Sequence, residues 1–157
     1  MEKPGEGKYF RELLDGAPDA MLVIDEGGVI LRSNRRTEEL FGYDRHGLVG
    51  HRVELLVPKR FRGDHMGERE RFSQAPRLQP MGERTGTVAL RRDGSEFPAD
   101  ISLSPVTVDG NLRIVVAVRD MTDRRKQEET TVALQLRLEE AEAEITLFRS
   151  LIPVCSR

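Results

Sequence analysis

The sequence predicts an α+β domain built on one five-stranded antiparallel sheet with short helices, and a long C-terminal coiled-coil helix. Strand-like stretches are segregated, two before a helical region and three after it. Gly-Gly and Asp-Gly turns between alternating apolar runs are typical of hairpins, which join antiparallel strands. The C-terminal stretch repeats apolar residues at the alternating spacings of three and four that a coiled coil requires.

The N-terminal part of the chain predicts a short helix followed by a hairpin. The helix is expected over residues 9–14, because Gly16 and Pro18 follow it. Apolar runs at 21–24 and 29–32 are expected to form two strands around the Gly27-Gly28 turn.

A second helix is expected directly after this hairpin. Ser33 and Asn34 carry the short polar side chains that cap helix N-termini. Leu40 and Phe41 are expected to face inward, and Gly42 is expected to end the helix. Two short helical pieces, broken by glycine and proline, should follow.

One more helix is expected from Lys59 up to Pro76, which cannot continue a helix. Its inward face is predicted from residues that recur near the helical period: Phe61, His65, Met66, Arg69 and Phe72. The following stretch, RLQPMGER, is expected to be irregular.

The segment RRDGSEFPADISLSPV predicts a second hairpin. Its turn, Arg92–Ser95, contains Asp-Gly, and glycine adopts a positive φ there without a Cβ clash. The flanking stretches TGTVALR and EFPADISLSPV alternate with a period of two, as strands do. A last strand is expected over 112–120.

The C-terminal region predicts a helix that pairs with another helix. Its apolar residues, here called the seam, follow spacings of 4, 3, 4, 3 and 4 at Leu134, Leu138, Ala141, Ile145, Phe148 and Ile152. A helix of roughly 28 residues would extend about 42 Å. Because it would expose a long apolar stripe alone in water, we expect a homodimer through a parallel coiled coil.

Composition excludes several function classes. The net charge is −2, so no overall basic field favours nucleic acid. The phosphate-binding loop spacing is absent, and nothing groups serine, histidine and aspartate as a triad, so we do not expect an enzyme. We also expect no membrane span and no signal peptide, and the single cysteine, Cys155, fits a reducing cytoplasm.

Four stretches together resemble a PAS domain, the bacterial sensor module. They are APDAMLVIDEGGVILRSN, LFGYDRHGLVGHRVELLVP, RRDGSEFPADISLSPV and VVAVRDMTDRRK, in this order. The resemblance implies a five-stranded sheet, with short helices across one face, that senses a small-molecule ligand or a partner. It also implies a C-terminal helix that passes the result to an output domain of the same polypeptide, such as a kinase or cyclase.

The resemblance also implies a signal junction where the last strand meets the output helix. Asp120-Met121-Thr122 lies where the family carries its Asp-x-Thr motif. Thr122 can cap a helix beginning at Asp123, and Asp120 can pair with Arg124 or its neighbour Arg125. The same residues could serve only to end a strand and cap a helix.

The cofactor stays open at this point, and no cofactor at all is one of the alternatives. His65, with Arg71 six residues later, resembles the helix that carries the haem ligand in oxygen-sensing PAS domains. The arginine that those sensors place on the next strand has no clear match, since Arg84 is only near it and Thr85 takes its place. A flavin is not expected, because SNRRTEELF lacks the reactive cysteine of light-sensing PAS domains.

These observations divide the chain into four segments. We expect an N-terminal helical cap over 1–16, a PAS domain over 17–122, a coiled-coil helix over 123–152 and a truncated tail over 153–157. The main interpretation is a sensory and dimerisation module. The alternatives are a haem-binding gas or redox sensor that uses His65 and a ligand-free dimerisation scaffold.

Overall fold

The computed structural model describes residues 6–77, 79–81 and 87–152. The helices are α1 Glu6–Asp15, α2 Arg35–Phe41, α3 Arg45–Leu48, α4 Arg62–Gln74 and α5 Thr122–Leu151, with 3₁₀ turns at Val53–Leu56 and Lys59–Phe61. The strands are β1 Ala20–Ile24, β2 Ile30–Ser33, β3 Gln79–Met81, β4 Thr87–Leu90, β5 Glu96–Val108 and β6 Asn111–Asp120. The expected order of two strands, helices and further strands is confirmed.

The strands form one antiparallel sheet in the order β2-β1-β6-β5, and both β3 and β4 pair with β5. Met81 pairs with Ile101 and Thr87 with Ala99, so β3 and β4 occupy successive stretches of one edge position. The sheet therefore has the five expected positions, although one of them holds two strands.

The prediction that the stretch RLQPMGER is irregular was wrong for β3. Pro80 had argued against a strand here, because proline has no N–H group to donate to a sheet. Here β3 pairs with β5 at the edge of the sheet, where a missing N–H group is tolerated.

The core lies between one face of the sheet and the short helices. Its largest fully buried side chains include Phe41, Phe97, Leu22, Ile30, Leu48 and Ile114. The rings of Phe41 and Phe97 contact each other with centroids 5.5 Å apart. Aromatic and aliphatic side chains from α2, α3 and four strands therefore fill this layer.

The caps of α2 were predicted correctly at two of three positions. Asn34 is the N-cap and accepts a hydrogen bond from the Thr37 N–H, while Gly42 ends the helix with a φ of 76°. Ser33 was predicted wrongly as a cap, because it is the last residue of β2 and pairs with Leu22.

Residue contacts divide the chain after Met121 into two compact units. The first contains the sheet and α1 to α4. The second contains α5, whose side chains from Asp123 to Leu151 are all exposed in the single chain. The long C-terminal helix is therefore present as predicted, within one residue of the expected start.

Candidate functional site

Helix α4 is attached to the domain by a buried arginine. Only Arg69 and Phe72 of this helix are buried, whereas Phe61 and Met66, which were predicted to face inward, are exposed. The Arg69 Nε donates a hydrogen bond to Glu54 Oε1 over 2.8 Å, and its Nη1 donates to the Glu26 carbonyl oxygen over 3.3 Å. A charged contact therefore holds α4 where sequence periodicity predicted apolar packing.

Glu54 brings two basic side chains of α4 together. His65 Nδ1 lies 3.2 Å from the same carboxylate oxygen that Arg69 contacts. The side chains of Arg69 and Glu54 are 7% and 8% exposed, and that of His65 is 20% exposed. These three residues, here called the clamp, join α4 to the 3₁₀ turn that carries Glu54.

The clamp requires a glycine in the β1–β2 turn. Gly28 has a φ of 80°, and a Cβ atom built there would lie 2.6 Å from Arg69 Nε. Any side chain at this position would therefore be strained and would also displace the guanidinium. The sequence correctly placed Gly28 in the turn. It gave no sign of the close approach of Arg69, because the two residues are 41 positions apart.

Glu54 stays ionised despite its burial. Burial alone would raise the pKa of its carboxyl, but hydrogen bonds from Arg69, the backbone and His65 outweigh it and hold the pKa below the ordinary value of 4.5. The second oxygen, Oε2, is buried and has no hydrogen-bond donor among the described residues. The hydrogen bond from Arg69 is therefore the largest single contribution that keeps this buried carboxyl ionised.

The lowered pKa of Glu54 predicts an acid-sensitive attachment of α4. A carboxyl whose pKa is lower in the folded state contributes stability above its unfolded pKa and loses it as the pH falls through the folded value. Glu54→Gln should cost about 2 kcal/mol at pH 7, and this cost should shrink below pH 4.5. Urea unfolding of both proteins between pH 7 and pH 3 measures the difference.

Glu68→Gln is the matched control, because Glu68 is exposed on the same helix. Its effect should stay within about 0.5 kcal/mol at every pH. A cost of Glu54→Gln that is constant from pH 7 to pH 3 would contradict an ionised Glu54 in the clamp.

Haem binding through His65 stays a prediction. His65 Nδ1 contacts Glu54, and the buried residues of α4 are Arg69 and Phe72. Arg71 is exposed, and six residues along a helix place it about 120° around the axis from His65. Arg84 and Thr85 lie outside the described residues.

A second cluster surrounds Arg91 at the end of β4. Its Nε donates to the Leu40 carbonyl oxygen over 3.1 Å, and its Nη1 donates to Ser95 Oγ over 3.3 Å. Its Nη2 lies 3.2 Å from Asp120 Oδ2. The guanidinium carbon lies 4.3 Å from the centre of the Phe97 ring, within the range of a cation–π contact. Arg91 thus connects α2, the hairpin turn, the core and the last strand.

The expected pairing of Asp120 with Arg124 or Arg125 at the junction stays a prediction. Asp120 Oδ2 forms an ion pair with Arg91 Nη2. Arg124 Nε lies 3.1 Å from Glu128 Oε1, one turn later in α5. Helix α5 begins at Thr122 itself, one residue earlier than expected.

The six seam residues are all exposed in the single chain. The five larger ones are between 53% and 70% exposed, and Ile152 directly follows the last residue of α5. Among the described residues, no helix is long and apolar enough to cross a bilayer. Within the same ranges, histidine, cysteine and carboxylate side chains form no cluster of three that could hold a metal ion.

Comparison with known proteins identifies the first unit. A family model described as the PAS domain matches residues 18–123. The chain belongs to the PAS domain family. Its match covers the sheet, the helices α2 to α4 and both clusters, which confirms the resemblance seen in the sequence.

Sensor proteins are among the relatives of this PAS chain. It is 31% identical over 139 residues to the sensor protein FixL of Bradyrhizobium diazoefficiens, covering 87% of this chain and 26% of FixL. It is 25% identical over 130 residues to the oxygen sensor protein DosP of Escherichia coli, covering 83% of this chain and 16% of DosP. The chain thus spans about a quarter or less of these two relatives.

Solved structures confirm the PAS fold. The PAS domain of an HTR-like protein from Haloarcula marismortui superposes with a TM-score of 0.60 at 20% identity, covering 73% of this chain and 90% of that one. The α+β sheet with helices on one face is therefore the family's architecture.

Proposed function

We propose that this PAS domain is a sensory module that relays the state of its core through the junction to an output domain of the same polypeptide. The observation that carries the proposal is the position of Arg91. It contacts Phe97 in the core and Asp120 at the end of the last strand. The similarity of the chain to sensor proteins supports the sensory role. Catalysis, such as that of a kinase or cyclase, would belong to the output domain.

The relay acts through a short chain of contacts. The Phe41 and Phe97 rings touch in the core, and the Arg91 guanidinium lies against Phe97. A ligand or partner that shifts this aromatic pair would move Arg91 and change its ion pair with Asp120. Since Asp120 is two residues before α5, such a change reaches the base of the coiled-coil helix.

Replacing Arg91 with glutamine should loosen the base of α5. We expect faster amide hydrogen exchange over residues 119–128 by about five-fold, because the partly exposed ion pair with Asp120, of about 1 kcal/mol, is lost at the base of the helix. Exchange measured by mass spectrometry on the whole chain reports this effect. Arg92→Gln is the matched control, because the Arg92 side chain is exposed at the same turn.

The same experiment separates the relay from a ligand-free scaffold. The filled core favours the scaffold as a second candidate, since Phe41 and Phe97 are at most 2% exposed. A scaffold needs no coupling between core and helix. Unchanged exchange over 119–128 in Arg91→Gln would therefore reject the relay and leave the scaffold.

We propose a second copy of the chain as the partner of α5. The seam places Leu138 and Ile145 at a positions of a heptad repeat, with Leu134, Ala141 and Phe148 at d positions. In a parallel dimer in register, g positions face e positions of the next heptad on the other chain.

Charges beside the seam support this parallel arrangement. The g residue Arg137 would face Glu142 of the other copy, and the g residue Glu144 would face Arg149. Both facing pairs are opposite in charge and each occurs twice by symmetry. The seam and its flanks are therefore self-complementary in the parallel register.

The double substitution Leu138→Lys with Ile145→Lys should convert the dimer into a monomer. Four lysines would meet in the apolar centre of the coil, where unpaired charges are strongly unfavourable. Light scattering after gel filtration should show about half the wild-type mass. Leu136→Lys with Leu147→Lys, which changes the opposite side of the helix, should remain dimeric. Dimers that persist in the seam variant would contradict the seam.

A further inference from the structure

Helix α5 carries a second apolar stripe on the side opposite to the seam. Val132, Leu136, Ala143 and Leu147, here called the outer stripe, follow spacings of 4, 7 and 4. At about 100° per residue, these four positions centre roughly 180° from the seam. The three larger side chains are between 55% and 63% exposed in the single chain.

A two-stranded coil would not cover the outer stripe. Its four residues occupy b, c and f positions, which face away from the partner helix in a parallel dimer. Such positions are usually polar, because they stay in water. An exposed row of apolar side chains here therefore indicates a second contact surface on the assembled dimer.

The charges around the outer stripe favour a basic partner helix over a second copy of the chain. Glu139 and Glu140 lie about 50° to either side of it, one on each flank. Residues 139–144 contain four glutamates and no basic residue. Two outer stripes packed together would bring these acidic flanks against each other, which disfavours a second copy of the chain. A helix with basic flanks would instead find opposite charges on both sides.

We propose that the outer stripe docks a basic amphipathic helix, with an apolar row of its own between two lines of lysine or arginine. The inference rests on the proposed function, since it takes the seam as occupied by a second copy. The bound helix would lie along the outer face of the coil between Val132 and Leu147. It would thereby join the signalling helix to a third helical segment, as in a helical bundle.

A synthetic peptide tests this docking on the whole dimeric chain. The probe is a fluorescent 21-residue helix with leucine at its a and d positions and lysine at its e and g positions. Fluorescence anisotropy should show saturable binding. Leu136→Ser with Leu147→Ser, and separately Glu139→Lys with Glu140→Lys, should each weaken binding at least ten-fold. The same peptide with glutamate in place of lysine should bind at least ten-fold more weakly.

Light scattering on the wild type and on each variant distinguishes a failure of the seam dimer from a failure of the docking surface. A monomeric wild-type chain would reject the seam dimer, whatever the peptide does. A dimer whose two outer-stripe variants bind the lysine peptide as well as wild type would overturn the docking surface. A wild-type tetramer that the serine variant converts to a dimer would also overturn it, because a second dimer would then be the occupant.

Discussion

Replacing Arg69 with methionine is expected to lower the free energy of unfolding by about 3–5 kcal/mol. Methionine retains an apolar stem of similar shape but donates no hydrogen bond, so the Glu54 carboxylate would remain buried without its cation. Both side chains are more than nine-tenths buried, and water therefore has little access to replace the guanidinium. Urea unfolding at pH 7, followed by circular dichroism, measures the loss.

A double variant separates the ion pair from the packing of α4. Glu54→Leu combined with Arg69→Met removes both charges, and it should recover most of the stability lost in Arg69→Met. Arg71→Met, an exposed change on the same helix, should alter stability by less than about 0.5 kcal/mol. If the free energy of unfolding of Arg69→Met lies within about 1 kcal/mol of the wild-type value, the clamp does not hold α4.

Local signals in the sequence predicted most of the fold. The Asp93-Gly94 turn forms as expected, with a φ of 86° at Gly94 and a hydrogen bond from the Ser95 N–H to Asp93 Oδ1. The caps at Asn34 and Gly42 depend on a few neighbouring residues and were equally visible. Each of these features is set within about five residues, so spacing and residue type suffice to find it.

The clamp and the Arg91 cluster could not be predicted in this way. Arg69 looked like one more residue on an apolar helix face, and its contact with Glu54 spans 15 positions. Arg91 reaches Asp120 across 29 positions. Both partners are set by how the elements pack. One available signal was missed, namely that a buried helix face with few apolar residues needs a polar attachment.

Asn34→Ala is expected to lower the free energy of unfolding by about 3–4 kcal/mol, because one buried amide serves three elements. Its Nδ2 donates to the carbonyl oxygens of Leu14 and Asp19 at 2.8 and 2.9 Å. Its Oδ1 accepts from the N–H groups of Met21 and Thr37 at 2.9 and 3.1 Å. The substitution leaves these groups of α1, β1 and α2 without their partner, and Asn34 is 0% exposed.

Substitution by aspartate tests which half of the amide matters more. Asn34→Asp keeps the oxygen that caps α2, but it turns a carboxylate towards the carbonyls of Leu14 and Asp19, which repel it. It should therefore be at least as destabilising as alanine at pH 7 and recover partly at pH 4, where protonation restores one donor. Asn111→Ala, at the exposed start of β6, should cost less than about 0.5 kcal/mol. An aspartate variant as stable as wild type would mean that only the bonds accepted by Oδ1, from Met21 and Thr37, are needed. In that case the bonds from Nδ2 to the carbonyls of Leu14 and Asp19 would contribute little to the fold.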